Sequence, residues 1–174
     1  MPDPELFKKA KAQAFRFLSY RERSHWELAQ YLKKKEYSHP MIQQTLDYLT
    51  ELDYINDQGF ALQWSQFKIN KNKIGRSRLY MELSGKGIDK IIIEKTLNAI
   101  YKDNPEKDLA EQCARKKWVS LKGTQKEKKK QRLVQFMQRR GFSSDIIYQS
   151  LKTLTEPIDT ERNYSSSRST VDQD

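Results

Sequence analysis

The strongest constraint on this chain is a set of apolar positions that returns three times in the same order. Leu28, Leu79 and Leu133 correspond, as do Leu32, Leu83 and Met137. Tyr37, Ile88 and Phe142 follow, then Ile42, Ile93 and Ile147, then Leu46, Leu97 and Leu151. In every column the second member stands 51 residues after the first, and the third 54 after the second. A long fixed period of this kind marks stacked supersecondary units. Within a unit the spacing is helical: Ile42, Leu46 and Leu49 fall at i, i+4, i+7 on one helix face. The expected fold is all-α, a tandem array of three three-helix repeats. Repeat one takes residues 1–53, repeat two 54–103 and repeat three 104–155, with a polar tail over 156–174.

Cap and turn residues place the helices. Asp3-Pro4 reads as an N-cap and first-turn pair. Ser24-His25-Trp26-Glu27 reads as a capping box, and Ser38 with Pro40 opens a third helix. The central stretch from Tyr54 to Ile88 shows the design most clearly. Asp57 is expected to cap a helix holding Phe60, Ala61, Trp64 and Phe67, and a basic connector of Lys68, Lys71 and Lys73 follows. Gly75 and Arg76 form an elbow, a helix carrying Leu79 and Leu83 comes next, and Lys86-Gly87-Ile88 closes it. Asp89 caps the next helix. In the third unit Asn104-Pro105 and Ser143 mark helix starts. Gly87 and Gly141 sit at equivalent helix ends, where a left-handed cap suits glycine. Glu36 stands there in the first unit, which points to a differently built elbow.

The chain is polar, with 36% hydrophobic and 32% charged residues, as suits an elongated array with a thin core. The single cysteine, Cys113, excludes an internal disulfide and a Cys-rich metal site, and its helix face reads as core. The acidic Met-Pro-Asp-Pro-Glu start is not a secretory signal, and no apolar run approaches the ~20 residues that span a bilayer. A cytoplasmic protein is expected. His25 and His39 fall in first helical turns with no triad or metal set around them, and Gly85-Lys86-Gly87 is a helix end rather than a phosphate loop. No catalytic residue, metal ligand or cofactor is assigned. After Thr155 the apolar pattern stops. Five acidic residues face two arginines there, and the tail is expected to be disordered.

The net charge of +10 is the remaining functional signal and favours a polyanionic or acidic partner. Lys71, Lys73, Arg76 and Arg78 crowd the elbow of unit two. Lys126, Lys128, Lys129, Lys130 and Arg132 occupy the region expected to correspond in unit three. Equivalent elbows of a repeat array lie along one edge, so a basic ridge is expected. Further basic clusters are Lys33–Lys35, Arg115–Lys117 and Arg139-Arg140. Trp64 and Trp118 read as core, although tryptophans also stack on bases.

The ordered motifs resemble the bacterial RecX regulators of the RecA recombinase. The residues that carry the resemblance are Arg21, Arg23-Ser24 and Glu27-Leu28, then Tyr54-Ile55-Asn56-Asp57, Phe60-Ala61, Gly75, Glu82-Leu83, Lys86-Gly87-Ile88 and Arg140-Gly141-Phe142. It covers residues 10 to 154 and departs at Glu36 and in the tail. The resemblance implies a crescent-shaped, non-catalytic protein that lodges in the groove of the RecA–DNA filament and restrains recombinase, ATPase and co-protease activities. DNA contact inside the filament, and a monomeric state, are expected with it. Two other readings stay open: a stand-alone DNA-binding module, with a helix-turn-helix over Ser24 to Leu49, and a helical scaffold for an unrelated acidic protein.

Overall fold

The structure, a computed structural model, describes residues 3–155; the tail assigned to 156–174 lies outside the described residues. Among these residues it has nine helices and no strand. Repeat one holds α1 (Pro4–Leu18), α2 (His25–Lys34) and α3 (His39–Glu51). Repeat two holds α4 (Asp57–Asn72), α5 (Arg76–Ser84) and α6 (Lys90–Asp103). Repeat three holds α7 (Glu106–Ser120), α8 (Lys126–Arg139) and α9 (Ser144–Thr155). In each repeat the first and second helices both pack on the third. The all-α tandem of three repeats is therefore the observed architecture.

The apolar columns make the core. Leu28, Leu79 and Leu133 are fully buried, as are Leu32, Leu83 and Met137, while Tyr37 and Leu151 are half-buried. Repeat one has its own core, built on Leu28, Leu32, Ile42, Leu46 and Leu49, to which Ile55 adds. Repeats two and three share one continuous core that runs from Phe60 through Leu83 and Leu97 to Met137 and Ile147.

All three second helices end alike. Glu36, Gly87 and Gly141 have φ of 63°, 72° and 81°. The next N–H reaches back to Leu32, Leu83 and Met137 respectively, and an apolar side chain follows, which is a Schellman cap. The elbow at Glu36 is thus built like the other two, contrary to expectation. Glycine is required at 87 and 141 by close approach as well as by φ. A Cβ on Gly87 would lie 2.3 Å from the Cβ of Trp26, and one on Gly141 2.4 Å from the Cβ of Arg78. Helix two of the preceding repeat makes both approaches. Glu36, in the first repeat, is exposed and carries only the left-handed strain, about 1–2 kcal/mol.

The repeats join through one plan used twice. The Ser24 hydroxyl donates to the carbonyl of Lys86 (2.6 Å), and the His25 N–H donates to the Asp57 carboxylate (2.8 Å). One repeat later the Gly75 N–H donates to the carbonyl of Arg140 (2.8 Å), and the Arg76 N–H to the Glu106 carboxylate (2.9 Å). In both cases the acidic residue opens the first helix of the following repeat, and three of the four donors, the His25, Gly75 and Arg76 amides, are otherwise orphaned helix-start N–H groups.

Several local readings need correction. Asp57 does not cap α4; Asn56 does, its side chain accepting from the Gly59 N–H, which frees Asp57 to accept from the repeat before. Gly75 does stand at the elbow, as the N-cap of α5. Its φ is −82°, and its small size is used where a Cβ would lie 2.3 Å from the carbonyl oxygen of Gly141. Lys68 and Lys71 are not connector residues, since α4 runs on to Asn72. Ile69, fully buried, continues the stripe of Ala61 and Ser65 at i, i+4, i+8, and only Lys73 leaves it, as a left-handed C-cap with φ 50°. Phe67 is half exposed (52%), so it is not core. Ser38 occupies the N-cap of α3 without a side-chain bond, whereas Asp3, Ser24 and Asp89 do make theirs. Lys126 to Arg132 are the first two turns of α8 rather than part of an elbow, as Lys, Gln and Glu propagate a helix well.

Candidate functional site

The basic residues of the α4–α5 elbow do not act as a group. Arg76 points its guanidinium to Glu94 (3.6 Å) and to the amide oxygen of Asn98. Arg78 bonds to Glu82 (3.1 Å). Glu82 also accepts from Lys68 (2.8 Å) and from the indole N–H of Trp64 (3.3 Å). Burial alone would raise the Glu82 pKa, but the bonds and charges of Lys68, joined by Arg78 and Trp64, lower it. Both arginines therefore spend their charge on carboxylates of their own repeat.

Lys71 and Lys73 turn elsewhere. With Lys116, Lys117 and Arg140 they line a cleft of about 480 Å³ between the last turn of α4, α7 and the end of α8. The remaining wall is Asn70, Asn72, Gln112, Cys113, Ser120 and Phe136. Among the described residues none that lines it is a carboxylate. The cations are held by neutral partners. The Arg140 guanidinium donates to the Asn72 carbonyl and lies 4.9 Å from the Phe136 ring centre. The Lys117 ammonium lies 5.2 Å from the same ring, and Lys73 donates to the Asn70 carbonyl (3.2 Å). Lys71 stands 5.2 Å from the exposed ring of Phe67. Such cation–π contacts orient a cation without neutralising it. Cys113 is buried in this wall, and burial raises its thiol pKa despite Arg140 and Lys116, so it is an unreactive core thiol.

The third group of candidates runs along α8. Lys126 and Lys128 are exposed, Lys129 lies 4.1 Å over Trp118, Lys130 pairs with Glu127 (3.2 Å) and Arg132 donates to Thr124 (3.5 Å). Lys129 and Phe136, seven residues apart, share a face of α8, so this run leads toward the cleft. Of the nine cations singled out from sequence, the cleft takes Lys71 and Lys73. It adds Lys116, Lys117 and Arg140, which sequence reasoning noticed as clusters but did not nominate. The alignment of repeats signalled one of these, since Arg140 falls in the column of Lys86.

The motif residues serve architecture. Ser24 and Glu27 form the capping box. Glu27 also pairs with Arg21 (2.8 Å) and Lys86 (3.0 Å), whose ammonium lies 4.0 Å over Trp64. Burial opposes ionisation of Glu27, but the bonds from Arg21, Lys86 and the Ser24 amide hold its pKa down at about 2. Phe60 and Leu83 are core. In the would-be recognition helix α3, the Gln43 amide is tied to Asp47 (2.8 Å) and Gln44 is half-buried, leaving few groups for base readout. Among the described residues no cluster is suited to hold a metal ion, and no helix is long and apolar enough to cross a membrane.

Three family models match this chain: RecX, first three-helix domain, over residues 10–49; RecX, second three-helix domain, over 56–97; and RecX, third three-helix domain, over 105–151. Among similar curated proteins, Regulatory protein RecX of Bacillus cytotoxicus is 33% identical over 158 residues, 91% of this chain and 58% of that protein. Its counterpart in Bacillus subtilis is 35% identical over 80% of this chain and 53% of its own length. That of Chlorobium limicola is 30% identical over 84% of this chain and 89% of its own. The chain thus spans a little over half the length of the two Bacillus relatives. The crystal structure of RecX from Lactobacillus salivarius superposes with a TM-score of 0.73 at 27% identity, covering 85% of this chain and 96% of that one.

Proposed function

The chain belongs to the RecX family of regulatory proteins, and on that premise we propose that it binds the groove of the RecA–DNA filament and restrains the recombinase, with its ATPase and co-protease activities. The observation that carries this reading is the carboxylate-free basic cleft between repeats two and three, continued along α8. A filament presents phosphates and acidic side chains at intervals, and cations with no internal counter-charge are the ones free to meet them. Arg76 and Arg78, engaged with Glu94 and Glu82, are secondary in this account. The chain is organised as repeats over 1–53, 54–103 and 104–155, the last two joined by a shared core, and the protein works as a cytoplasmic monomer without catalytic residues of its own.

The test is DNA-dependent ATP hydrolysis by the cognate RecA, with the chain added across a salt series. Wild type should inhibit, less so as salt rises. The pair Lys71→Glu with Lys116→Glu should raise the concentration for half-inhibition roughly tenfold and flatten its salt dependence. Lys8→Glu with Lys9→Glu on α1, exposed and distant, should inhibit like wild type. Equal inhibition by all three proteins at every salt concentration would refute the cleft as the filament-binding surface.

A further inference from the structure

The cleft between α4, α7 and α8 holds more positive charge than a nucleic-acid strand can use. Lys71, Lys73, Lys116, Lys117 and Arg140 converge on about 480 Å³, with no carboxylate in the lining among the described residues. A space of that volume is about 8 Å across, and a strand carrying one charge per ~3.4 Å of axis brings roughly two charges into it. Three phosphates bonded through shared oxygens carry about four negative charges near neutral pH and fit the same span. The groups that hold the cations in place are neutral. The Asn72 carbonyl and the Phe136 ring fix Arg140, Phe136 also orients Lys117, and the Asn70 carbonyl holds Lys73. Their charge is thereby left for a ligand, and a guanidinium with ammonium neighbours is the donor set that recognises phosphate oxygens.

We infer that this cleft is a site for a compact oligophosphate, the triphosphate of a nucleotide or free tripolyphosphate, bound through its phosphates. Two chemical consequences follow. The Phe136 ring is already engaged by Lys117 and Arg140, so a nucleobase gains little there and selectivity among bases is weak. Magnesium normally sits between phosphates and protein carboxylates. With none in the lining, the metal-free ligand is preferred, since the ion would cancel the charge the cleft recognises. An occupant here competes with any other polyanion for the same five cations. The inference uses the cleft invoked above but does not depend on a recombinase partner.

Calorimetric titration of the full chain with inorganic tripolyphosphate, ATP, GTP, pyrophosphate and orthophosphate tests this. Tripolyphosphate should bind saturably, one per chain, with ATP and GTP alike within about threefold. Pyrophosphate and then orthophosphate should bind more weakly, and magnesium should weaken ATP. Lys71→Glu with Lys116→Glu, both exposed positions, should weaken tripolyphosphate roughly tenfold or more. The milder Lys71→Gln with Lys116→Gln should lie between, and Lys8→Glu with Lys9→Glu, exposed on α1, should match wild type. No saturable tripolyphosphate binding, or binding unchanged in the Lys71 and Lys116 pairs, overturns the proposal. So does a short oligothymidylate that binds more tightly per phosphate than tripolyphosphate, which would assign the cleft to a phosphodiester strand. Loss of tripolyphosphate binding in a variant that still inhibits RecA would sustain this inference while removing the cleft from the filament reading. The reverse result would do the opposite.

Discussion

The junction between repeats one and two and the junction between repeats two and three share a backbone plan and differ in everything attached to it. Each has a helix-start donor on the carbonyl before a left-handed residue, and a helix-start N–H on an acidic residue of the next repeat. At the first junction, Glu27 of one repeat pairs with Lys86 of the next. At the second, the same two columns hold Arg78 and Arg140. Two like charges cannot pair. Arg78 takes Glu82 in its own repeat, and Arg140 turns to Asn72 and Phe136, where it becomes a wall of the basic cleft. A change of sign at one column thus converts a structural ion pair into an uncompensated binding charge. The apolar side differs as well. The second junction is crossed by a continuous core, the first is not, so repeats two and three should behave as one body and repeat one as another.

The severest way to break this comparison is at Gly75. Alanine there brings a Cβ to 2.3 Å of a backbone carbonyl, which no rotamer change relieves. Gly75→Ala should destabilise by about 3 kcal/mol or more, near the top of the range for point changes. Urea unfolding should show the loss in repeats two and three together. A near-neutral result would mean that the second junction is loose and that the shared core does not depend on close backbone contact.

A matched pair of core truncations sharpens the same point. Leu83→Ala and Leu32→Ala occupy one column and should each cost about 2–5 kcal/mol. Their reach should differ. Hydrogen exchange should rise across α4 to α9 for Leu83→Ala but only across α1 to α3 for Leu32→Ala. Equal spread of both effects over all nine helices would show that the first junction couples the repeats as strongly as the second.

The smallest effect expected is acid loosening of the first junction. The Glu27 carboxyl is held at about 2 in the fold, below its ordinary 4.5. A group with a depressed folded pKa stabilises fully above its unfolded pKa, and that contribution fades as pH falls from about 4.5 toward 2. Exchange protection of α2 amides next to Lys86 and Asp57 should therefore fall in that window, and Glu27→Gln should show the weaker protection already at neutral pH. If protection at the two junctions declines in parallel with pH, the Glu27 pair is not what distinguishes them.

The repeat architecture was legible because its information is local and periodic. Columns 51 and 54 residues apart, helical spacing inside each and caps such as Asp3, Ser24 and Asp89 follow from short-range sterics and from apolar burial, which acts on one helix face at a time. The site was only partly legible. Lys71 and Lys73 belong to the cleft, but Arg76 and Arg78, equally basic and each five residues further on, do not. Whether a cation is free depends on which carboxylate the fold brings within a few ångströms. Lys86 meets Glu27 across 59 residues, while Arg140 meets no carboxylate in the lining of its cleft. Coulomb energy falls with distance in space and is indifferent to distance along the chain. The sequence by itself determined the helices, their order and their buried faces, because those depend on neighbours three or four residues away. Only the tertiary structure decided which charges were cancelled and which were left to act.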